Sequence, residues 1–328
     1  MADTRRPTSP AAEEILGGYF PVLDHGFVAL VDYMGTDEDV ERAARVSYGY
    51  GTRKVSQTRG LIRYLRRHAH TTPSEMVELK FHCAMPIFVA RQWVRHRMAS
   101  INEYSGRYSL MPLMFYEPEA TSFALQSRTN AQGRAEEAAA PALYREAMER
   151  WKRVRHEAAE TYGWLVGEEV ARELARIDLP LSTYTQWYWK IDLHNLLHFL
   201  RLRVDEHAQW EIREYGRVMA GMLERVAPLT YEAWLDYDVL GARMSAAELE
   251  VLRGLLEADP EAMTVGAGNG TRTEEELRAA GLSPREIREL IAKLGPRERP
   301  DYSLDLSTMG DADAMAAKMA AAVPDLTV

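Results

Sequence analysis

At Pro86 the hydrophobic period of the chain changes, and that change limits the fold more than any other stretch. Before it, Val77, Leu79, Phe81, Cys83 and Met85 fall on alternate positions, the pattern of a strand with one face in a core. After it, the run PIFVARQWV is apolar on a helical period, with proline suited to the first helical position. A strand therefore feeds a buried helix. Residues 26–33 (GFVALVDY) repeat the theme as a short apolar strand, followed by Thr36 and Asp39 at capping-box spacing and a helix carrying Val40, Ala43 and Ala44. So does the aromatic-rich stretch 182–190 (STYTQWYWK), a third strand giving way to a helix from Asp192.

Around these units the remaining elements can be placed. Ser56 is positioned to cap a helix whose Leu61, Ile62 and Leu65 oppose Arg63, Arg66 and Arg67, a basic face read as solvent surface. In HAHTTPSE, Thr72, Pro73 and Glu75 make a compact helix start, with Thr72 as cap and Glu75 returning to its amide. A strand is expected near Tyr108–Phe115, and a polar, alanine-rich loop or helix extension over 126–140. A long helix from Pro141 presents Tyr144, Met148, Trp151 and Val154 as core, and a second over 168–177 ends before Pro180. Leu196, Leu197 and Leu200 form an apolar row, and a later helix carries Ile212, Tyr215, Met219, Met222 and Val226 up to Pro228. Beyond Gly241, Ser245, Thr273 and Ser283 each precede an acidic residue at capping-box spacing, which predicts three short helices joined by polar loops. GAGNG at 266–270 lacks the G-x-G-x-x-G spacing and is read as a linker with no strand before it.

Bulk properties narrow the chemistry. A net charge of -9 disfavours general nucleic-acid binding, so any nucleotide partner is local and small. The single cysteine, Cys83, excludes a disulfide framework and a thiolate metal cluster, fits a reducing cytoplasm, and faces a core rather than a substrate. No basic-plus-apolar leader opens the chain, no apolar span suits a bilayer, and residues up to about Pro10 have the composition of a disordered tail.

The helix after Pro86 runs out into RHRMASINEYSGRY, residues 95–108, a density of hydrogen-bonding side chains that folding does not require. Arg95, Arg97 and Arg107 supply planar cationic forks suited to phosphate, and Ser100, Asn102, Glu103 and Ser105 can read polar ring edges. An isolated Arg-x-Arg pair is ordinarily a solvated face. Arginines emerging from an apolar helix instead meet an anion, and a nucleotide fits the inventory. His194 and His198, one helical turn apart, have spacing that can hold zinc, but neither a glutamate in the H-E-x-x-H pattern nor a nearby cysteine accompanies them, and packing is favoured. Ser105 beside Gly106, with His96 close in sequence, suggests a nucleophile. G-x-S-x-G is absent, however, and a hydrogen bond to phosphate or pyrimidine is the stronger reading.

Arg95-His96-Arg97, then seven residues, then Ser105 resembles the mark of the flavin-dependent thymidylate synthases, and Gln92, Glu103, Gly106 and Arg107 extend the match. The later run LRxDxHAQWEIR, from Leu202 to Arg213, resembles the same family. The resemblance covers about residues 20–238 and says nothing of the chain after 240, so residues 1–19 are read as a tail, 20–240 as the family domain and 241–328 as a helical extension of unknown role. The resemblance implies an α+β fold, a mixed or antiparallel sheet flanked by long helices. It also implies homotetramers with sites between subunits. Deoxyuridine monophosphate (dUMP) would be held by Gln92, Arg95, Glu103, Ser105, Gly106, Arg107, Arg176 and Arg203. Arg203 would stabilise charge on the pyrimidine, with Ser105 as a second catalytic position. Flavin adenine dinucleotide (FAD) would be lined by Ser47, His70, Thr72, Glu75, Arg95, His96, Arg97, Asn102, Glu103, Asp192, His194, His198 and His207. Three of these depart from the family pattern: His198 stands where asparagine is frequent, Asp192 where another amide is common, and His194 where arginine occurs. The implied reaction is reductive methylation of dUMP, with methylenetetrahydrofolate as carbon donor, flavin as hydride carrier and NADPH as reductant. Competing readings keep the flavin but make the chain a nicotinamide oxidase or a folate-dependent nucleotide or RNA methylase, or drop catalysis for a nucleotide sensor. The acidic charge disfavours the RNA case.

Overall fold

The change of period at Pro86 becomes a strand running directly into a helix in the computed structural model, which describes residues 6–47, 58–128, 133–259, 264–267, 273–279, 284–294 and 298–324. In chain order, α1 (Pro10–Glu13), β1 (Tyr19–Val22) and β2 (Gly26–Met34) open the fold. The expected tail is anchored from Arg6 onward: Arg6 reaches Asp32 and the Tyr33 carbonyl, and Ser9 Oγ donates to the Arg225 carbonyl. In α2 (Asp37–Val46) the capping box forms as expected, with Thr36 accepting the Glu38 amide and Asp39 accepting the Thr36 amide. Helix α3 (Thr58–Arg67) buries Ile62 and Leu65, while its expected cap Ser56 lies outside the described residues. Helix α4 (Thr72–Glu75) differs from expectation, because Thr71 takes the cap position and no side-chain capping bond closes. Next come β3 (Glu78–Pro86) and α5 (Ile87–Trp93), with Pro86 as the helix cap rather than its first residue. The chain continues through β4 (Ser100–Glu103), β5 (Ala124–Gln126), β6 (Arg134–Ala138), α6 (Pro141–Gly167), α7 (Arg172–Ala175), β7 (Tyr184–Asp192), α8 (Leu193–Arg203), α9 (Trp210–Val226) and α10 (Pro228–Trp234).

The main sheet has the order β1-β2-β3-β7-β4 and is antiparallel throughout, so the α+β expectation resolves to its antiparallel form. The fourth strand was misplaced by sequence reasoning. It lies at Ser100–Glu103, on the sheet edge with all four side chains exposed, and an edge strand with no buried face leaves no apolar alternation to read. Residues 108–115 run irregularly, touching the sheet through a single Phe115–Thr183 bridge while burying Met111 and Met114. Of residues 126–140, Arg134–Ala138 are not a helix extension but β6, which pairs with β5, while 129–132 lie outside the described residues. The expected helix over 168–177 shrinks to α7, and on α6 Trp151 and Val154 are exposed rather than core.

A knot of aromatic rings joins the sheet to the helices that carry the site. Trp93 at the end of α5 meets Trp187 and Trp189 of β7, Phe199 of α8 and Tyr215 of α9, with ring centroids 5.1–5.7 Å apart. All five are fully buried, which holds the ends of α5 and α8 in fixed register.

By its contacts the chain divides into two units: residues up to Trp234 together with those from Asp301 onward, and Leu235–Pro300. The second contains α11 (Ala246–Leu255), β8 (Leu256–Asp259), β9 (Thr264–Ala267), α12 (Glu274–Ala279) and α13 (Pro284–Leu294) around Val251, Leu277, Ile287 and Leu290. Capping boxes close at Ser245 with Glu248 and at Thr273 with Glu276; Ser283 lies outside the described residues. A hairpin of β8 and β9 was not expected. It corrects the linker reading of GAGNG, whose Gly266 and Ala267 belong to β9 and whose remainder lies outside the described residues. The final segment returns to the first unit instead of extending from residue 241. There α14 (Ala312–Ala321) buries Met315 and Met319 among Tyr19, Phe27, Met114 and Tyr184, and Gly310 exchanges backbone bonds with Tyr19. Among the described residues, no helix is long and apolar enough to cross a membrane.

Candidate active site

Because Trp93 is locked in the aromatic knot, the residues just after it leave the core at a fixed point. His96 donates its backbone amide to the Trp93 carbonyl, and its ring meets the Phe199 ring edge-on at 4.8 Å. Helix α8 brings Arg203, its last residue, to the same place. Arg203 Nε donates to His96 Nε2 at 3.0 Å, and Nη2 faces the Gln92 carbonyl at 3.5 Å. Burial, the Arg203 charge and His198 together push the His96 pKa down to about 4, so the ring is neutral at pH 7 and free to accept that bond. Burial also lowers the Arg203 pKa, although a guanidinium keeps its charge.

These side chains border a cavity of about 570 Å³ lined by Arg95, His96, Arg97, Asn195, His198 and Arg203, within the size range of small-molecule sites. Arg95 and Arg97 are exposed and make no ion pair among the described residues. Helix α4 packs on α8, which brings Thr72 and Glu75 to the helix carrying His194 and His198. His194 Nδ1 is buried with no hydrogen-bond partner, as expected where a polar ligand belongs. The guanidinium groups of Arg95 and Arg97, without ion pairs among the described residues, and a cavity of this size fit a flavin nucleotide. Asp192 is otherwise engaged: its carboxylate caps α8, accepting the Asn195 amide at 2.9 Å and Asn195 Nδ2 at 2.7 Å.

A second cluster forms where the chain leaves β4. Arg107 Nε pairs with Glu173 Oε2 at 2.9 Å, and Arg172 donates to the Tyr108 carbonyl at 2.6 Å, so α7 clamps the loop. Gly106 lies against Arg176: a Cβ there would fall 3.1 Å from Arg176 Nη1 and 2.6 Å from Met111 Sδ. The Ser105 hydroxyl accepts the Arg107 amide at 3.3 Å, while the His96 ring is bonded to Arg203 instead. Glu103 accepts from Thr185 Oγ1 at 2.8 Å. Ser105, Gly106, Arg107 and Arg176 do not line the cavity that holds Arg203.

His207 and Gln209 line a different cavity, of about 620 Å³, enclosed by the β5–β6 hairpin, α6 and the start of α9. His207 bonds Asp205 at 2.8 Å, and Gln209 bonds Gln92. Ser47 is the exposed C-cap of α2, and His70 rests edge-on against Tyr64. Sequence reasoning missed Asn195, Arg172, Glu173 and Gln209. Asn195 had a signal, standing three residues after a cap, and Gln209 lies within the run LRxDxHAQWEIR; Arg172 and Glu173 had none before the fold brought them near the motif.

Fold and site define an α+β protein with a guanidinium-lined cavity and no glycine-rich phosphate loop among the described residues. The family described as thymidylate synthase complementing protein matches residues 29–229. A flavin-dependent thymidylate synthase of Gluconobacter oxydans (strain 621H) is 49% identical over 294 residues, covering 89% of this chain and 92% of that protein. Another, from Treponema denticola, is 52% identical over 237 residues, covering 72% of this chain and 89% of its own length. The crystal structure of a UMP/dUMP methylase, PolB from Streptomyces cacaoi, bound with 5-Br UMP, superposes with a TM-score of 0.60 at 32% identity, covering 67% of this chain and 97% of that one. The chain belongs to the flavin-dependent thymidylate synthase family.

Proposed function

We propose that the chain catalyses reductive methylation of dUMP to thymidylate, with methylenetetrahydrofolate as carbon donor, FAD as cofactor and NADPH as reductant. The observation that carries this reading is the half-buried Arg203 guanidinium, held at His96 and Gln92 beside the unpaired Arg95 and Arg97. A fixed cation at a pyrimidine carbonyl stabilises the negative charge that develops as C5 becomes nucleophilic. The relatives' names and the dUMP analogue carried by a solved neighbour support the same substrate.

Gln92, Arg95, Glu103 and Arg203 would read the pyrimidine, and Ser105, Gly106, Arg107 and Arg176 would hold the phosphate. Ser105 then acts as a hydrogen-bond donor to substrate and not as a nucleophile, since no histidine is bonded to its hydroxyl. Ser47, His70, Thr72, Glu75, Arg95, His96, Arg97, Asn102, Glu103, His194, His198 and His207 would line FAD, which when bound supplies the hydride. Because Ser105, Gly106, Arg107 and Arg176 do not line the cavity that holds Arg203, the proposal extends to a homotetramer whose sites form between subunits, working in the cytoplasm.

The test is anaerobic incubation of the purified protein with FAD, NADPH, methylenetetrahydrofolate and dUMP. Thymidylate is the expected product, and Arg203→Ala should abolish it. Flavin reduction without thymidylate would reject the synthase reading and leave a nicotinamide oxidase.

A further inference from the structure

Arg203 can polarise a pyrimidine only if its guanidinium is aimed, and a long flexible side chain at the last residue of a helix does not aim itself. The bond it makes is informative. Arginine Nε is always a donor, so the His96 nitrogen 3.0 Å away must be the acceptor. That requires a neutral ring with its proton on Nδ1, in agreement with the downward displacement of the His96 pKa by burial and by Arg203 itself. The ring is in turn fixed from three sides: its backbone bond to Trp93, the Phe199 edge at 4.8 Å, and the His198 ring at 6.0 Å. Phe199 and Trp93 are fully buried, so His96 is a rigid strut standing on the core. With Nε spent on His96 and Nη2 turned toward the Gln92 carbonyl, the remaining N–H groups, chiefly those on Nη1, are left for a ligand.

We infer that His96 is a positioning residue for Arg203, accepting its Nε–H so that the terminal nitrogens face the pyrimidine, in addition to any contact His96 makes with flavin. This rests on the synthase reading for what Arg203 does, but not for where His96 holds it.

Two variants separate the roles. His96→Phe keeps the ring and its aromatic neighbours but removes the acceptor, whereas His96→Gln restores an acceptor oxygen. With FAD saturating and its occupancy checked by absorbance, His96→Phe should lower kcat on the order of a hundredfold, the cost of misplacing a catalytic group by about 1 Å, with a smaller change in KM for dUMP. His96→Gln should recover most of that loss. A double-mutant cycle on dUMP affinity, read by calorimetry, gives the second readout. His96→Phe should weaken binding in the native background and add nothing in Arg203→Ala, because its effect passes through that guanidinium. Additive losses, an unchanged kcat in His96→Phe, or equal damage in both His96 variants tracking lost FAD would each overturn the proposal. Absence of thymidylate from the unaltered chain would instead reject the synthase reading, and the dUMP cycle would still decide the positioning role.

Discussion

Gly106 shows how little room the proposed phosphate end of the site allows. A methyl group there would press on Arg176 and Met111 at 3.1 and 2.6 Å, so Gly106→Ala should displace the Arg176 guanidinium and weaken dUMP binding about tenfold or more, as loss of a charge-assisted contact does. Gly163 on α6 is the control: a Cβ there meets nothing, and Gly163→Ala should leave binding alone while stabilising the helix by about 0.5–1 kcal/mol. Calorimetric titration and denaturant unfolding check both. His96 gives a pH prediction whose sign follows from its pKa near 4 in the fold, below the usual 6.5. The unfolded chain binds the extra proton first, so this contribution to stability is complete above pH 6.5 and is lost as pH falls toward 4. His82 and His198, also lowered by burial, act in the same direction. Unfolding at pH 7 and pH 5 should therefore show a smaller drop in His96→Gln than in the native chain, and an identical drop would contradict the assignment. At this scale the arginine motif was legible in the sequence because its polar density exceeds what folding needs. The His96–Arg203 bond was not, since it joins residues 107 positions apart. Asp192 has a second role that its place before a helix allows, since a carboxylate there caps the helix by accepting the Asn195 amide.

Among the elements, the β5–β6 hairpin is tied to the rest of the fold by the Arg134 side chain. Arg134 donates to the Ser122 carbonyl, pairs with Glu211 Oε2 at 3.0 Å and lies over the Trp210 ring at 5.3 Å. Glu211 is 5% exposed and, among the described residues, its other hydrogen-bond partner is the Tyr116 hydroxyl, so Arg134→Ala strands a buried carboxylate. With Arg134 itself about a quarter exposed, the expected cost is about 2 kcal/mol, below the range for fully buried pairs. Denaturant unfolding should show it, with faster proteolysis within the hairpin; unchanged stability would mean that the strands alone suffice. Elements with a buried face were readable from sequence: β2, β3, β7, α8 and α9 appear where their periodicity put them. Those without one were not. Strand β4 is polar and exposed, and β6 is alanine-rich with no alternation, so neither carries a hydrophobic signal.

For the whole molecule, composition and capping signals suggested that everything after residue 241 hangs together, yet the chain returns at Asp301 to complete the first unit. The methionines that seal it, Met315 and Met319, sit in an alanine-rich helix whose partners, from Tyr19 to Tyr184, all lie far earlier in the chain, and no local pattern announces that. The same distance problem hides the assembly. Arg203 and its cavity lie at the end of α8, whereas Arg176 lies against Gly106, next to Arg107, and none of these three lines that cavity. If dUMP is held by one group from each of two subunits, Arg203→Ala and Arg107→Ala should each be inactive alone but regain activity when co-assembled. Random mixing in equal amounts pairs an intact Arg203 half with an intact Arg107 half in about a quarter of sites, so the mixture should recover roughly a quarter of native turnover. A site built within one subunit can recover none, because every chain in the mixture carries one defect. Measuring thymidylate formation after unfolding and refolding the two variants together, with sedimentation to confirm the oligomer, decides between these assemblies.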